Sequence, residues 1–262
     1  MTKNDEIKPI FILGSGRSGT SVITGALKTG GDIPGFNEGH FLPLMTFLIK
    51  ETNRFFQGKK NLRKDERHMI THINQQVIED EIISIFRKQC EAICQEKIWL
   101  DKSPDAAMIK AVPYLKKAWP KGRYLYAKRR GIENIISRLK KFPHVEFEKH
   151  CIMWAECMES WLNVKEKIAE CSIEIEQREI ALNPEKTAKK IGEFLELEQE
   201  KIERIADIFA NKRPQSTGGV EKEEAIDIKE AGWTNEQIQI FRKYCGEISQ
   251  KFGYSETSDY YL

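Results

Sequence analysis

Short continuous apolar runs alternate with longer stretches of helical spacing along this chain. Residues 9–13, 98–100 and 123–127 are such runs, and they predict strands buried on both faces. Residues 172–177 alternate apolar and polar positions and predict a further strand. Between them, apolar spacing predicts helices over 19–28, 42–56, 132–141, 183–195, 199–210 and 235–251. Ile70, Ile73, Val77, Ile78, Ile82, Ile85 and Phe86 predict one long amphipathic helix over 69–94, and Met153, Trp154, Met158 and Trp161 a second over 147–170. Residues 105–118 resume a helix with Pro113 as a kink or boundary. Residues 30–39, 57–67 and 211–219 read as loops. Strands alternating with helices imply a mainly parallel sheet covered on both faces. The expectation is one α/β domain over residues 1–262, without repeats or a linker.

The first strand leads into Gly14-Ser15-Gly16-Arg17-Ser18-Gly19-Thr20-Ser21 and then into helical spacing. A strand, a glycine-rich loop and a helix N-terminus together make an anion site, because backbone N–H groups converge there and the helix dipole favours negative charge. The spacing also fits Gly-x4-Gly, but Thr20 stands where a nucleotide triphosphatase carries its loop lysine, and Arg17 is the loop's cation. Two further predicted strands end in polar residues, Asp101-Lys102-Ser103-Pro104 and Lys128-Arg129-Arg130. Ligands of open parallel sheets bind outside the carboxyl ends of the strands. If these strands are neighbours, Arg17, Lys102 and Arg129 converge on a ligand with more than one phosphate-like group.

Charge narrows this further. The 42 basic residues nearly balance the 40 acidic ones, so any electropositive site must be local, and nucleic-acid binding is not indicated. Residues 1–8 are polar, and no segment approaches a membrane span. The six cysteines lack CxxC pairing and read as reduced core thiols. A cytoplasmic location is expected.

At this point the motifs resemble a family, the sulfotransferases that use 3′-phosphoadenosine 5′-phosphosulfate (PAPS). Arg17-Ser18-Gly19-Thr20 is similar to their 5′-phosphosulfate loop, and Arg129 followed eight residues later by Ser137 is similar to their 3′-phosphate site. Gly131 replaces the usual proline. Trp99-Leu100-Asp101-Lys102-Ser103-Pro104 resembles the acidic-Lys-Ser/Thr-Pro segment, and Asn37-Glu38-Gly39-His40-Phe41 sits where such enzymes place a catalytic glutamate. The ending Phe252-Gly253-Tyr254 is also of a common family type.

The resemblance implies a P-loop-like sulfotransferase fold, with helical acceptor-side segments near 42–95 and 146–170. It implies PAPS as co-substrate, 3′,5′-ADP as product, and an acceptor among glycans, lipids, peptides and small metabolites. Gly16, Arg17, Ser18, Gly19, Thr20, Ser21, Arg129 and Ser137 would bind the nucleotide, with Arg213 from the basic 211–219 loop folding over it. Glu38 would be the base, with His40 as the alternative, and Lys102 and Arg17 would neutralise the leaving oxygen. No metal is expected. Rival readings are a P-loop kinase-like phosphotransferase and a non-catalytic nucleotide-binding protein. His68 and His72 have metal-ligand spacing but no evident third ligand, so a solvated helix face is the plainer reading. The basic run 59–67 is exposed charge or a contact for an anionic or extended acceptor.

Overall fold

The structure, a computed structural model, describes residues 7–211 and 225–262. Among these, five strands form a parallel sheet in the order β2-β3-β1-β4-β5. The strands are β1 (Ile10–Gly14), β2 (Gly35–Phe36), β3 (Leu100–Lys102), β4 (Arg123–Lys128) and β5 (Ser172–Glu176). The central strand β1 is buried throughout, and its side chains alternate between two cores. Ile10 and Ile12 join Leu100, Leu125, Ala127 and Ile175 on one face. There they pack on α1 (Thr20–Thr29), α9 (Pro184–Leu195) and α10 (Gln199–Asn211). Phe11 and Leu13 point the other way, where Phe11 meets Trp99, Trp119 and Tyr124 at centroid distances of 5.4–5.9 Å. Helices α2 (Leu42–Gly58), α4 (Gln75–Cys94), α5 (Ala106–Ala118), α6 (Gly131–Lys141) and α7 (Phe147–Val164) cover that face.

Most expected elements are present, with a few informative differences. The helix expected over 69–94 is split into α3 (Met69–His72) and α4, with Ile73 and Asn74 extended between them. Asn74 accepts from the Gln76 N–H (3.0 Å), so its side chain satisfies a helix start instead of continuing one. Pro113 does not end its helix. Asp105 caps α5 through the Met108 N–H (2.7 Å), and Met108, Ile109, Val112 and Leu115 are all buried, which holds the turn together despite the missing donor. The second long helix stops at Val164 and gives way to a 3-10 stretch, Lys165–Cys171. Strand β2 was expected as loop, and α8 (Gln177–Leu182) begins where the last strand was expected to end. The predicted C-terminal helix appears as α11 (Asn235–Phe241), a π-type stretch Arg242–Gly246 and α12 (Glu247–Lys251). All six cysteines are free thiols, five of them buried.

The end of the chain is clasped to the sheet. Tyr254 and Tyr260 donate their hydroxyls to the two oxygens of Glu176 at 2.6 and 2.7 Å. Arg130, 1 % exposed, pairs with Glu133 and donates to the carbonyls of Ile226, Ser255 and Thr257, while the Tyr260 ring covers its guanidinium. Arg130 is therefore a structural cation, unlike its neighbour Arg129.

Because all pairings are parallel, every strand ends on one edge, with Gly14 beside Ala127 and Ile12 beside Lys102 in register. The strands that follow β1 lie first on one side of it (β2, β3) and then on the other (β4, β5), so its carboxyl end is the crevice position of an open sheet. Gly14 turns there with φ 141°, and a Cβ on it would lie 2.3 Å from the Ala127 carbonyl oxygen. Gly14→Ala is expected to destabilise the fold by at least about 2 kcal/mol through strain and lost β1–β4 contact. Denaturant unfolding checks this, and an unchanged midpoint would contradict the account.

Candidate active site

The loop between β1 and α1 is built from residues in unusual backbone conformations. Arg17 has φ 72° and Gly19, the N-cap of α1, has φ 91°. Left-handed residues within a turn curl the backbone so that its N–H groups face one concavity, which favours anions. For Arg17 this conformation carries strain, and its neighbours hold it in place. Arg129 Nη1 donates to the Arg17 carbonyl (3.3 Å), and Arg17 Nε donates to Ser137 Oγ (2.9 Å). Asn134 Nδ2 donates to the Gly16 carbonyl and to Ser18 Oγ, both at 3.0 Å. The corner of β4 and α6 therefore braces the loop, and Arg17, Arg129 and Ser137 are brought together as expected.

Helix α6 also presents Arg138 one position after Ser137. A Cβ on Gly16 would lie 3.2 Å from Arg138 Nη1, a tight contact that shows how closely the guanidinium approaches the loop. Arg138 Nε donates to His150 Nδ1 (3.2 Å), and His150 Nε2–H donates to the Phe142 carbonyl (3.3 Å), which fixes a neutral imidazole. Burial, with Arg138 beside it, holds the His150 pKa below the usual imidazole value. The arginines feel one another: burial and then Arg129 lower the Arg17 pKa, and burial with a smaller contribution from Arg17 lowers that of Arg138.

Sequence reasoning missed Asn134, Arg138 and His150. The signal lay in α6, where Asn134, Ser137 and Arg138 repeat at three and four residues among isoleucines, giving a buried polar stripe on a helix otherwise read as amphipathic.

The second cluster joins β3 to the loop before α2. Lys102 Nζ, whose side chain is 3 % exposed, donates to Glu38 Oε1 (2.8 Å) and reaches Ser21 Oγ at 3.4 Å. Glu38 Oε2 lies 3.0 Å from His40 Nε2. The Gly39 N–H donates to the Lys102 carbonyl (3.3 Å) and the His40 N–H to Ser103 Oγ (3.1 Å), so the 37–40 segment is stitched to the end of β3. His40 itself has φ 51°. The hydrogen bond from Lys102 is the main cause that holds the Glu38 carboxyl below the usual range, with His40 adding to it. Ser21 sits in the first turn of α1, so Lys102 ties this cluster to the loop cluster. Among the sequence candidates, Thr20 is buried as the first residue of α1. Arg213, with the rest of the stretch expected to fold over the nucleotide, lies outside the described residues.

The chain can now be set beside known proteins. A family model described as "Sulfotransferase family" matches residues 9–201. The chain belongs to the sulfotransferase family. Its fold is similar to that of sulfotransferase STF9 from Mycobacterium avium, at 15% identity over 97% of this chain and 79% of that one, with a TM-score of 0.55. It is likewise similar to the sulfotransferase domain of the Synechococcus PCC 7002 olefin synthase, at 16% identity over 97% and 98% of the two chains, with a TM-score of 0.52. No curated protein matches the chain. The matched span carries both clusters of this sulfotransferase, and the α/β sheet is the P-loop-like fold of the family.

The metal-spaced histidines take different partners. His72 Nε2–H donates to the Glu66 carbonyl (2.9 Å), and His68 lies 3.7 Å from Asp65. Among the described residues no group of three metal-binding side chains assembles.

One buried charge stands out behind the second cluster. Asp101 is 3 % exposed and neither of its oxygens accepts a hydrogen bond of ordinary geometry. A Cβ on Gly39 would fall 2.0 Å from its Oδ1, so the loop lies directly against the carboxylate. Burial pushes the Asp101 carboxyl up to about 6. A raised acid pKa means the folded state binds the proton more tightly, so stability falls as pH rises from about 4 through 6. Asp101→Asn is expected to stabilise the protein near neutral pH by roughly 3 kcal/mol, the equivalent of a two-unit shift. Thermal unfolding across pH checks this: the gain should vanish toward pH 4, and a gain independent of pH would contradict it.

Proposed function

We propose that this sulfotransferase moves a sulfuryl group from PAPS to an acceptor hydroxyl or amine by in-line displacement, releasing 3′,5′-ADP. The observation that carries this reading is the contact of two motifs distant in sequence. Arg129 donates to the Arg17 carbonyl and Arg17 to Ser137, so the two predicted phosphate sites adjoin. A 5′-phosphate in the loop of residues 14–20 would meet backbone N–H groups, the N-terminus of α1 and the Ser18, Thr20 and Ser21 hydroxyls. A 3′-phosphate would lie between Arg129 and Ser137. This donor carries two separate anionic ends, and two separate sets of groups support its recognition.

Transfer forms a bond from the acceptor oxygen to sulfur while the bond from sulfur to the 5′-phosphate oxygen breaks. Negative charge grows on that oxygen, and Lys102 and Arg17 are the cations to neutralise it. Lys102 is engaged with Glu38. Its departure toward the leaving oxygen would release Glu38, whose basicity Lys102 suppresses, to take the acceptor proton. Charge stabilisation and base strength would then rise in one movement. His40, bonded to the far oxygen of Glu38, would orient it or take the proton in its place.

The acceptor would enter beside this loop, past Phe36 and Phe41, which flank Glu38 and His40 and are partly exposed. Phe41 stacks on Phe86 of α4 (4.7 Å), consistent with acceptor-side walls from residues 42–95 and 146–170 of a single domain. Among the described residues no helix is long and apolar enough to cross a membrane. The six free thiols support a reducing, cytoplasmic setting for the reaction.

Isothermal titration with 3′,5′-ADP tests the donor assignment. Arg129→Ala and Ser137→Ala should each weaken binding, the arginine by about tenfold or more, the loss expected for a charge-assisted contact. Unchanged affinity in Arg129→Ala would overturn the assignment. For the chemical step, Glu38→Gln should cut turnover of PAPS by about a hundredfold or more while leaving 3′,5′-ADP affinity nearly unchanged. An intact rate in Glu38→Gln with a lost rate in His40→Ala would transfer the role of base to His40.

A further inference from the structure

The basic run that neither cluster uses has its own place in the fold. Residues at the end of α2 and in the following 3-10 turn (Leu62–Lys64) border a cleft of about 760 Å³ against α3 and the start of α4. That volume lies in the range of small-molecule sites. The cleft stands some thirteen or more residues along α2 from His40, roughly 20 Å at the helical rise, so it is separate from the candidate reaction centre.

Its lining has a definite chemistry. Arg54, Lys60 and Arg63 supply the charge, and among the described residues no carboxylate lines the cleft. Two acidic groups that touch lining residues are engaged with them, Glu51 with Arg54 (3.5 Å) and Glu79 with Gln75 (3.2 Å). Arg63 is held rather than loose: its guanidinium lies 5.1 Å over the Phe56 ring and Nη2 donates to the Ile73 carbonyl (3.4 Å). Gln75, which lines the cleft, is the first residue of the 20-residue helix α4, so the positive end of that dipole borders the same space. Asn53, Gln57 and Gln75 add amides; Gln75 Nε2 donates to Asn53 Oδ1 (2.5 Å), which leaves the Asn53 nitrogen and the Gln57 amide to donate and the Gln75 oxygen to accept. Hydroxyl groups need both, whereas a bare inorganic anion needs only donors. Phe56, the apolar ring of the lining, is mostly covered, which disfavours a greasy ligand.

We propose that this cleft is a second ligand site, which binds a small polyhydroxylated anion: a sugar carrying a phosphate or a carboxylate. The anionic group pairs with Lys60 and Arg63 at the head of α4, and the sugar hydroxyls engage the amides. The inference does not depend on the donor assignment.

The test is isothermal titration of the full chain at low salt with glucose 6-phosphate, glucuronate, glucose and inorganic phosphate, with 3′,5′-ADP present at saturation to occupy the donor site. One or both anionic sugars should bind, at least fivefold more tightly than glucose or inorganic phosphate. Lys60→Ala and Arg63→Ala should each weaken that binding at least fivefold. Arg63 packs on Phe56, so a poorly folded Arg63→Ala leaves the exposed Lys60→Ala to decide. Equal binding of inorganic phosphate would make this only a general anion patch and overturn the proposal. So would absence of binding by both sugars, or affinity indifferent to Lys60→Ala. Loss of sugar binding in Arg129→Ala would move the ligand to the nucleotide site and overturn it equally. If 3′,5′-ADP itself fails to bind, the donor reading falls, while the Lys60 comparison still reports on the cleft.

Discussion

Repulsion between like charges crowded at one edge of a sheet is what the rest of this site is arranged around. Arg17, Arg129 and Arg138 approach the same loop, and the first and last have depressed pKa values because burial and a neighbouring guanidinium act together. Several of the partners that position them are uncharged: the Ser137 hydroxyl, the Arg17 carbonyl and a neutral His150. Asn134 does the same for the backbone of the loop. Such partners fix the geometry of the guanidinium groups, so an arriving anion would find donors already oriented and would relieve their mutual repulsion. An all-parallel sheet makes this economical, since every strand delivers its last residue to the same edge.

The β3 side uses the opposite device. Lys102 is buried, and a buried ammonium is costly unless paired, so Glu38 and the backbone around residues 37–40 close over it. The closure brings Gly39 against Asp101, a second carboxylate whose pKa burial raises, and the loop that covers it holds His40 in a left-handed conformation. One loop carries an exposed acid paired to a cation and covers an acid that lacks such a pair. Their different environments give two carboxylates of very different proton affinity within one strand–loop contact.

Much of this was legible in the chain because burial on both faces leaves an unbroken apolar run. Ile10 to Leu13 read as a buried strand, and the polar residues after each run marked the carboxyl edge of the sheet. Arg17, Lys102 and Arg129 were found that way, and the eight-residue step to Ser137 supplied the partner. Asn134 and Arg138 were hidden because a polar residue on an amphipathic helix looks solvated until the packing shows otherwise. β2 escaped notice because two residues, Gly35 and Phe36, are too few to show a period. The break at Ile73–Asn74 escaped because apolar spacing continues across it, and only the Asn74 cap records the interruption. Pro113 misled in the other direction, its local penalty outweighed by a buried face.

The clasp made by Tyr254 and Tyr260 has a consequence for how the corner between β4 and α6 is built. Arg129 belongs to the same strand-to-helix corner as Arg130, whose N–H meets the Tyr260 hydroxyl while its guanidinium grips the carbonyls of Ser255 and Thr257. The last turn of polypeptide thus acts as a buttress for a corner formed more than a hundred residues earlier. Substitutions around Tyr260, distant in sequence from Arg129, are mechanically linked to the corner that carries it, and would shift the set of a guanidinium they never touch.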